Sequence, residues 1–422
     1  MLFKELNLRF GQISLVFDRD TKCQQTLNIH PLNGAIMKWI ISLPQLDNDD
    51  ASDYVAEYRF GYYETTNFPF REEQEDALAW HVLNQQQLTP TDSSVPLTRI
   101  EIGHRLWTSY QLLENASLIG GTTASTTVCD GKGNLITATL ADAVTFAAVY
   151  NNAGDILGVV RLNSVTHKPT NPEELVRIQL SGGMVYYGRV NGSLAVSRAI
   201  GDNHLKKSGV CSEAHIDITN TKTIIENLNV RPEDVKNIQI ITTCDGFTDG
   251  AGANFQSKKD HEDYLLEVLQ TIQSPGKMRE DKLCAQLVKK AIIDNTRDNV
   301  SIAIQTLYTE TSSFLLGLYD GHGGKDMACH AANNIGRIFT EQCALPLNDY
   351  AKQPLSVHTK RAEYKRDNYA IDSPETWLEL TEMIPDDLKG SSQTYASFFQ
   401  PGVVSEEKTQ GDPIFLNNFG HS

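Results

Sequence analysis

FLLGLYDGHGG, Phe314 to Gly324, is an apolar run that stops abruptly at Asp-Gly-His-Gly-Gly. The apolar half predicts a buried strand, and the polar half predicts a tight turn that delivers Asp320 and His322 from the strand's end. Gly321, Gly323 and Gly324 permit backbone approaches that a side chain would block, so the chain can wrap something small beside Asp320. Taken alone, an ordinary Gly-rich turn after a core strand explains the stretch equally well. Acidic residues elsewhere in the chain tip the balance.

Working outward, Arg297-Asp298-Asn299 precedes a strand-like run, Val300 to Leu307, and only the polar stretch Tyr308 to Ser313 separates that run from Phe314. Pairing of the two as an antiparallel hairpin would bring Asp298 and Asp320 to one end of a sheet. A second apolar run, Ile238 to Cys244, empties into Asp245-Gly-Phe-Thr-Asp249-Gly250 and repeats the strand-then-Asp-Gly pattern. Three carboxylates from three separate stretches would repel one another. Hard divalent cations such as magnesium or manganese are the natural compensation, because they take oxygen ligands. Zinc fits less well, with few histidines and no cysteine pattern. Cys244, one residue before Asp245, is expected to point to the opposite face of its strand, into the core.

The remaining pattern is that of a mixed domain with extensions. Helical periodicity marks Ile100 to Ala116, Asn171 to Leu180, Asp260 to Ile272 and Lys282 to Ile293. Strands are expected at Gln12 to Phe17, within Tyr54 to Phe68, and at Ala77 to Leu83, Asn134 to Leu140, Thr145 to Tyr150 and Ile156 to Leu162. Arg71 to Asp76 reads as a charged hairpin tip, 84–95 as a loop, and Asp47 to Asp53 as an exposed acidic linker. Beyond Cys343, a mildly basic patch (Lys352, Lys360, Arg361, Lys365, Arg366) precedes an expected helix, Pro374 to Met383, and a terminal docking arm, Gly390 to Ser422. These boundaries divide the 422 residues into an extension 1–56, a domain 57–343 and an extension 344–422. The extensions are the expected sites of a protein partner.

A net charge of -16 argues against a general nucleic-acid or anionic-membrane binder, and the seven cysteines form no CxxC pair, which points to a reduced compartment. No run of about 18 apolar residues occurs. The expected setting is cytoplasmic, with delivery into another cell by a non-classical route, as an effector, left open.

Several motifs together resemble the metal-dependent protein serine/threonine phosphatases of the PPM family, also called type 2C. They are Arg71-x-x-Gln-Glu75-Asp76, Gly121-Thr-Thr-Ala124, Asn152-Ala-Gly-Asp155, His167-Lys-Pro169, Arg189-Val-Asn-Gly through Ser-Arg198-Ala-Ile-Gly-Asp202, Asp245-Gly-Phe-Thr-Asp249, Asp298-Asn299 and Asp320-Gly-His-Gly-Gly324. The resemblance implies an α+β fold, a four-layer α/β/β/α sandwich of two mixed β-sheets flanked by helices. It also implies two Mg2+ or Mn2+ ions and hydrolysis of phosphoserine and phosphothreonine in proteins by a metal-bridged water. By the same resemblance Asp245, Asp298 and Asp320 hold one metal. Glu75, Asp320 and the Gly321 carbonyl hold the other, with Asp76 in support. Arg71 grips the phosphoryl group and His322 protonates the leaving oxygen. Asp249, Asp202 and Thr166 fall at accessory positions.

Two departures stand out. The Asp-Gly-His-Gly-Gly unit follows the last catalytic strand, whereas in the family it comes between the Arg71 to Asp76 motif and the Gly-Thr-Thr-Ala motif. Thr166 stands where the family has an aspartate before His-Lys-Pro, so an accessory third metal is expected to bind weakly or through another ligand. The alternatives are an inactive phosphatase-like scaffold and a phosphatase of small phosphomonoesters.

Overall fold

In the computed structural model, which describes residues 12–16, 25–30, 37–41, 50–56, 58–68, 70–249, 257–307, 313–351 and 369–370, Ser313–Tyr319 lies between Ala77–Leu83 and Ala124–Asp130, antiparallel to both. Its side chains divide by parity. Phe314, Leu316 and Leu318 face a core shared with the other sheet, whereas Leu315 and Tyr319 join the core under the helices. Both faces are therefore covered, which is why the sequence reads as a continuous apolar run instead of an alternation.

Among the described residues this strand is the centre of a nine-stranded sheet. On one side of it follow Ala124–Asp130, Asn134–Leu140, His215–Asn220 and Tyr369–Ala370. On the other follow Ala77–Leu83, Gln12–Val16, Gln25–His30 and Met37–Ile41. A six-stranded sheet runs Ile156–Arg161, Val144–Tyr150, Asn237–Thr243, Val300–Leu307, Phe60–Thr65, Asp50–Val55. The six-stranded sheet is antiparallel throughout, and the nine-stranded one has a single parallel pair, at Tyr369–Ala370.

The sheets face each other across Phe60, Trp80, Val149, Ile240, Phe314 and Leu316. Trp80 stacks on Phe60, with ring centroids 4.6 Å apart, and its Nε1 donates to Gln305 Oε1 at 2.8 Å, tying one sheet to the other. Helices Arg99–Leu112 and Asp326–Ala344 cover the nine-stranded sheet, and Lys258–Thr271 and Glu280–Ile293 cover the six-stranded one. The result is the four-layer α+β sandwich. Local signals place the helices. Thr98 and Glu101 form a reciprocal cap at the start of Arg99–Leu112, Ser257 and Asp260 do the same for Lys258–Thr271, and Pro172 opens Pro172–Leu180.

Three expectations need correction. Val300–Leu307 and Ser313–Tyr319 do not pair. The first is flanked by Asn237–Thr243 and Phe60–Thr65 and has no free edge, so the second enters the opposite sheet. Arg71–Asp76 is not a hairpin tip, because the strands on either side of it belong to different sheets and the segment crosses between them. Asp50–Asp53, read as linker, begins an edge strand in register with Phe60–Thr65, where backbone pairing outweighs the low strand propensity of aspartate. The expected helix Pro374 to Met383, the basic patch from Lys352 to Arg366 and the arm Gly390 to Ser422 lie outside the described residues.

Candidate metal centre and active site

Strand register brings the acidic residues to one end of the sandwich. Tyr319 pairs with Ala77, so Asp320 and Asp76 leave the nine-stranded sheet side by side. In the six-stranded sheet Thr243 pairs with Ile302, and Val300 with Thr65, which sets Asp245, Asp298 and the segment leading to Arg71 at the corresponding end. The Ser313–Tyr319 strand thus lies between the two strands that flank it in the family's sequence order, although it arrives from the far end of the domain.

Electrostatics register the crowding. Burial lifts the Asp76 carboxyl from 3.8 to about 6, with the Asp298 charge adding to the shift. Asp245 is raised well above the ordinary range by desolvation first and then by Asp142 and Asp249. Asp320 is likewise raised by desolvation, then by Asp76 and Asp245. Asp76 is 7% exposed; among the described residues its carboxylate oxygens have no partner at full hydrogen-bond geometry, and the nearby Ser301, Cys244 and Asp320 side chains offset its raised value only in part. A buried carboxylate so weakly compensated is costly, and these oxygens fit a bound cation. One oxygen each of Asp76 and Asp320 and the Cys244 sulfur lie within 4.8 Å of one another. Cys244 packs in the core between the sheets, as expected, and its buried thiol also lies beside Asp76 and Asp320. Burial and the neighbouring Asp76 and Asp320 push that thiol well up, keeping it protonated and a poor metal ligand. The donor set remains one of hard oxygens suited to a hard divalent cation.

Around the acids the crossing segment is pinned from the Asp298 side. Asn67 Nδ2 donates to the carbonyls of Thr296 and Asp298, both at 3.0 Å. Asn299 Oδ1 accepts the Glu75 N–H at 3.0 Å, and its Nδ2 donates to the carbonyls of Thr66 and Glu73. Thus held, Arg71 reaches Asp298 Oδ2 at 2.6 Å and Glu75 Oε2 at 3.4 Å. Partial burial works against the Arg71 charge, but Asp298, Glu75 and Asp320 outweigh it and raise the group above its ordinary value. Glu75 Oε1 accepts the Gly324 N–H at 2.7 Å. A Cβ at Gly321 would collide with the Glu75 carbonyl, so only glycine lets the two segments approach this closely.

Beside the acids, His322 Nε2 lies 2.5 Å from Asp202 Oδ2. The contact is built by a small ribbon, in which Gly121–Thr122 pairs with Ile200–Gly201 on one side and Gly321–His322 on the other. Thr122 Oγ1 and the Thr123 N–H both donate to the Asp320 carbonyl, at 3.0 and 2.9 Å.

Sequence reasoning passed over Asp142. It lies in the turn between Asn134–Leu140 and Val144–Tyr150, 7% exposed, ion-paired to Lys168 through Oδ2, while its Oδ1 is buried without a partner among the described residues. The His-Lys-Pro segment is carried there by paired contacts, with the His167 N–H donating to the Ala141 carbonyl and the Ala141 N–H to His167 Nδ1. Asp142 foremost, and after it Asp245 and Asp249, hold Lys168 far up in its charged form against the opposing cost of burial. Asp249 closes the short helix after Asp245 and is itself raised, by desolvation first. Thr166 is partly buried and its carbonyl accepts from Asn171 Nδ2 at 2.5 Å. Of the expected accessory residues, Asp202 thus belongs with His322, and Asp249 with Asp142 and Lys168.

Known proteins share this pattern. A family model described as Protein phosphatase 2C matches residues 73–300, more than half of the 422-residue chain. The chain belongs to the protein phosphatase 2C family. It is 33% identical over 190 residues to a "Probable protein phosphatase 2C 57" of Oryza sativa subsp. japonica, covering 45% of this chain and 46% of that one. It is 32% identical over 190 residues to an "Integrin-linked kinase-associated serine/threonine phosphatase 2C" of Bos taurus, covering 44% and 46%. The chain therefore spans less than half the length of these curated relatives. A crystal structure of a Toxoplasma gondii phosphatase is similar over 72% of this chain and 99% of that one, at 14% identity and a TM-score of 0.38. The Asp320 to Gly324 motif lies beyond the matched residues, as its displaced position requires.

Proposed function

We propose that the chain hydrolyses phosphoserine and phosphothreonine in proteins with two Mg2+ or Mn2+ ions. The observation that carries this reading is the convergence of Glu75, Asp76, Asp245, Asp298 and Asp320 at one end of the sandwich, with Arg71 and His322 beside them. Asp245, Asp298 and Asp320 would hold one ion, and Glu75, Asp320 and the Gly321 carbonyl the other, with Asp76 supporting the site. When bound, such ions neutralise the carboxylates and activate water for attack on phosphorus.

The chain's own groups do the rest. Arg71 offers a planar fork of donors to the phosphoryl oxygens, and Asp298 and Glu75 hold it in place. His322 gives a proton to the departing serine or threonine oxygen, a step worth about 10²–10⁴-fold in such reactions. Every carboxylate named for metal binding is present, which favours an enzyme over an inactive scaffold. The test is turnover of a phosphoserine or phosphothreonine peptide with manganese and after chelation. Metal-dependent release of phosphate is expected. Absence of turnover in protein shown to bind the metal would defeat the reading.

A further inference from the structure

We infer that Asp202 is the residue that positions His322 for proton delivery, an inference that rests on the phosphatase reading above. The two residues come from segments 120 positions apart, and the fold takes unusual measures to join them. In the three-stranded ribbon Gly201 and His322 sit opposite Gly121 from its two sides. A Cβ on Gly121 would run into Asp202 Oδ2 and come within 2.6 Å of His322 Nε2, so this glycine is the gap through which the carboxylate reaches the ring. Asp202 adopts a left-handed backbone, φ 50°, that costs a non-glycine residue on the order of 1 kcal/mol. Its N–H donates to the Gly120 carbonyl at 2.8 Å, fixing that conformation. The carboxylate is 4% exposed and lies 2.5 Å from Nε2.

The chemistry follows from the commitment of that nitrogen. With Nε2–H donated to Asp202, Nδ1 is the ring nitrogen left for the reacting oxygen. As the phosphorus–oxygen bond to serine or threonine breaks, Nδ1–H of the imidazolium protonates the departing oxygen. The ring becomes neutral and keeps Nε2–H on the carboxylate. Water supplies the oxygen that remains on phosphorus, and a proton it releases to solvent balances the one the imidazole later regains. Asp202 touches neither substrate nor phosphorus in this scheme. It fixes the ring's direction.

Two phosphate esters separate this role from a structural one. An alkyl leaving group such as serine needs the proton, whereas p-nitrophenolate leaves without it. In the manganese-loaded full chain, Asp202→Asn is expected to lower kcat on a phosphoserine peptide by roughly 10–100-fold, and on p-nitrophenyl phosphate by only about 3-fold or less, with KM little changed. In a His322→Ala background the same substitution should cost nothing further on the peptide, because its effect passes through the ring. Equal losses on the two esters, no loss on the peptide, or additive losses in the double variant would each overturn the inference while leaving the phosphatase reading in place. Absence of manganese-dependent turnover of either ester by the unaltered chain would overturn both.

Discussion

Glu75 Oε1 accepts the N–H of Gly324 at 2.7 Å, joining residues 249 positions apart. One partner belongs to the segment that crosses between the sheets near the front of the domain, and the other to the turn supplied from its far end. A strand and helix displaced along the sequence are in this way locked onto the site they complete. Adjacency in the sheet, rather than order in the chain, decides whether the site can form.

Glu75→Gln keeps an oxygen for the Gly324 N–H but removes a charge from the metal site. The folded state should persist, with a melting temperature within a few degrees of the parent, while manganese affinity falls and peptide turnover drops by roughly 10²-fold or more. Circular dichroism with a manganese titration checks both halves. Unaltered affinity would remove Glu75 from the metal site.

The raised carboxyls predict how pH and metal trade off. Below its ordinary 3.8, Asp76 is protonated whether the chain is folded or not, and the raised folded value favours the native state. As pH climbs through about 6 the folded protein must ionise a buried acid, and that stability is lost, on the order of 3 kcal/mol for a two-unit shift. Asp245 and Asp320 shift in the same direction. A divalent cation binds the ionised forms, so the rise in melting temperature on adding manganese should be greater at about pH 7.5 than at about pH 5. A gain that is flat with pH, or greater in acid, would contradict this cluster as the site of binding.

Trp80 tests the sandwich itself. It is fully buried, stacked on Phe60 and bonded to Gln305 across the two sheets. Trp80→Ala should cost about 3–5 kcal/mol in urea unfolding, since it opens a cavity and strands the Gln305 carbonyl oxygen. Trp80→Phe should cost less, about 1–3 kcal/mol, mostly for the lost hydrogen bond. A loss below about 1 kcal/mol for the alanine variant would mean that the sheets are not packed through this ring.

Much of this was legible in the sequence, and the limits have physical causes. Apolar runs that end in Asp-Gly or begin after Asp-Asn marked the strand ends where Asp320, Asp245 and Asp298 gather, because a strand buried on both faces must put its polar chemistry at its termini. The same property hid the pairing. Val300–Leu307 and Ser313–Tyr319 are buried on both faces, so no exposed face says which sheet each joins, and a hairpin was the simplest expectation and the wrong one. Cys244 went into the core as its place next to a buried strand suggested, but nothing local foretold its approach to Asp76 and Asp320. Asp142 sits in a turn with no surrounding motif, and only the fold brings Lys168 to it. Asn67 and Asn299 act through partners more than 200 positions away, which local pattern cannot register.

The central claim is that carboxylates from both sheets, bridged by Asp320, make one metal-dependent phosphatase site. The most direct measurement pairs manganese binding with phosphoserine-peptide turnover in the unaltered chain and in Asp320→Asn. The account predicts metal-dependent turnover in the first, and in the second a folded protein that has lost high-affinity manganese binding together with at least about 10²-fold of its activity. Full activity and unchanged manganese affinity in Asp320→Asn would contradict it.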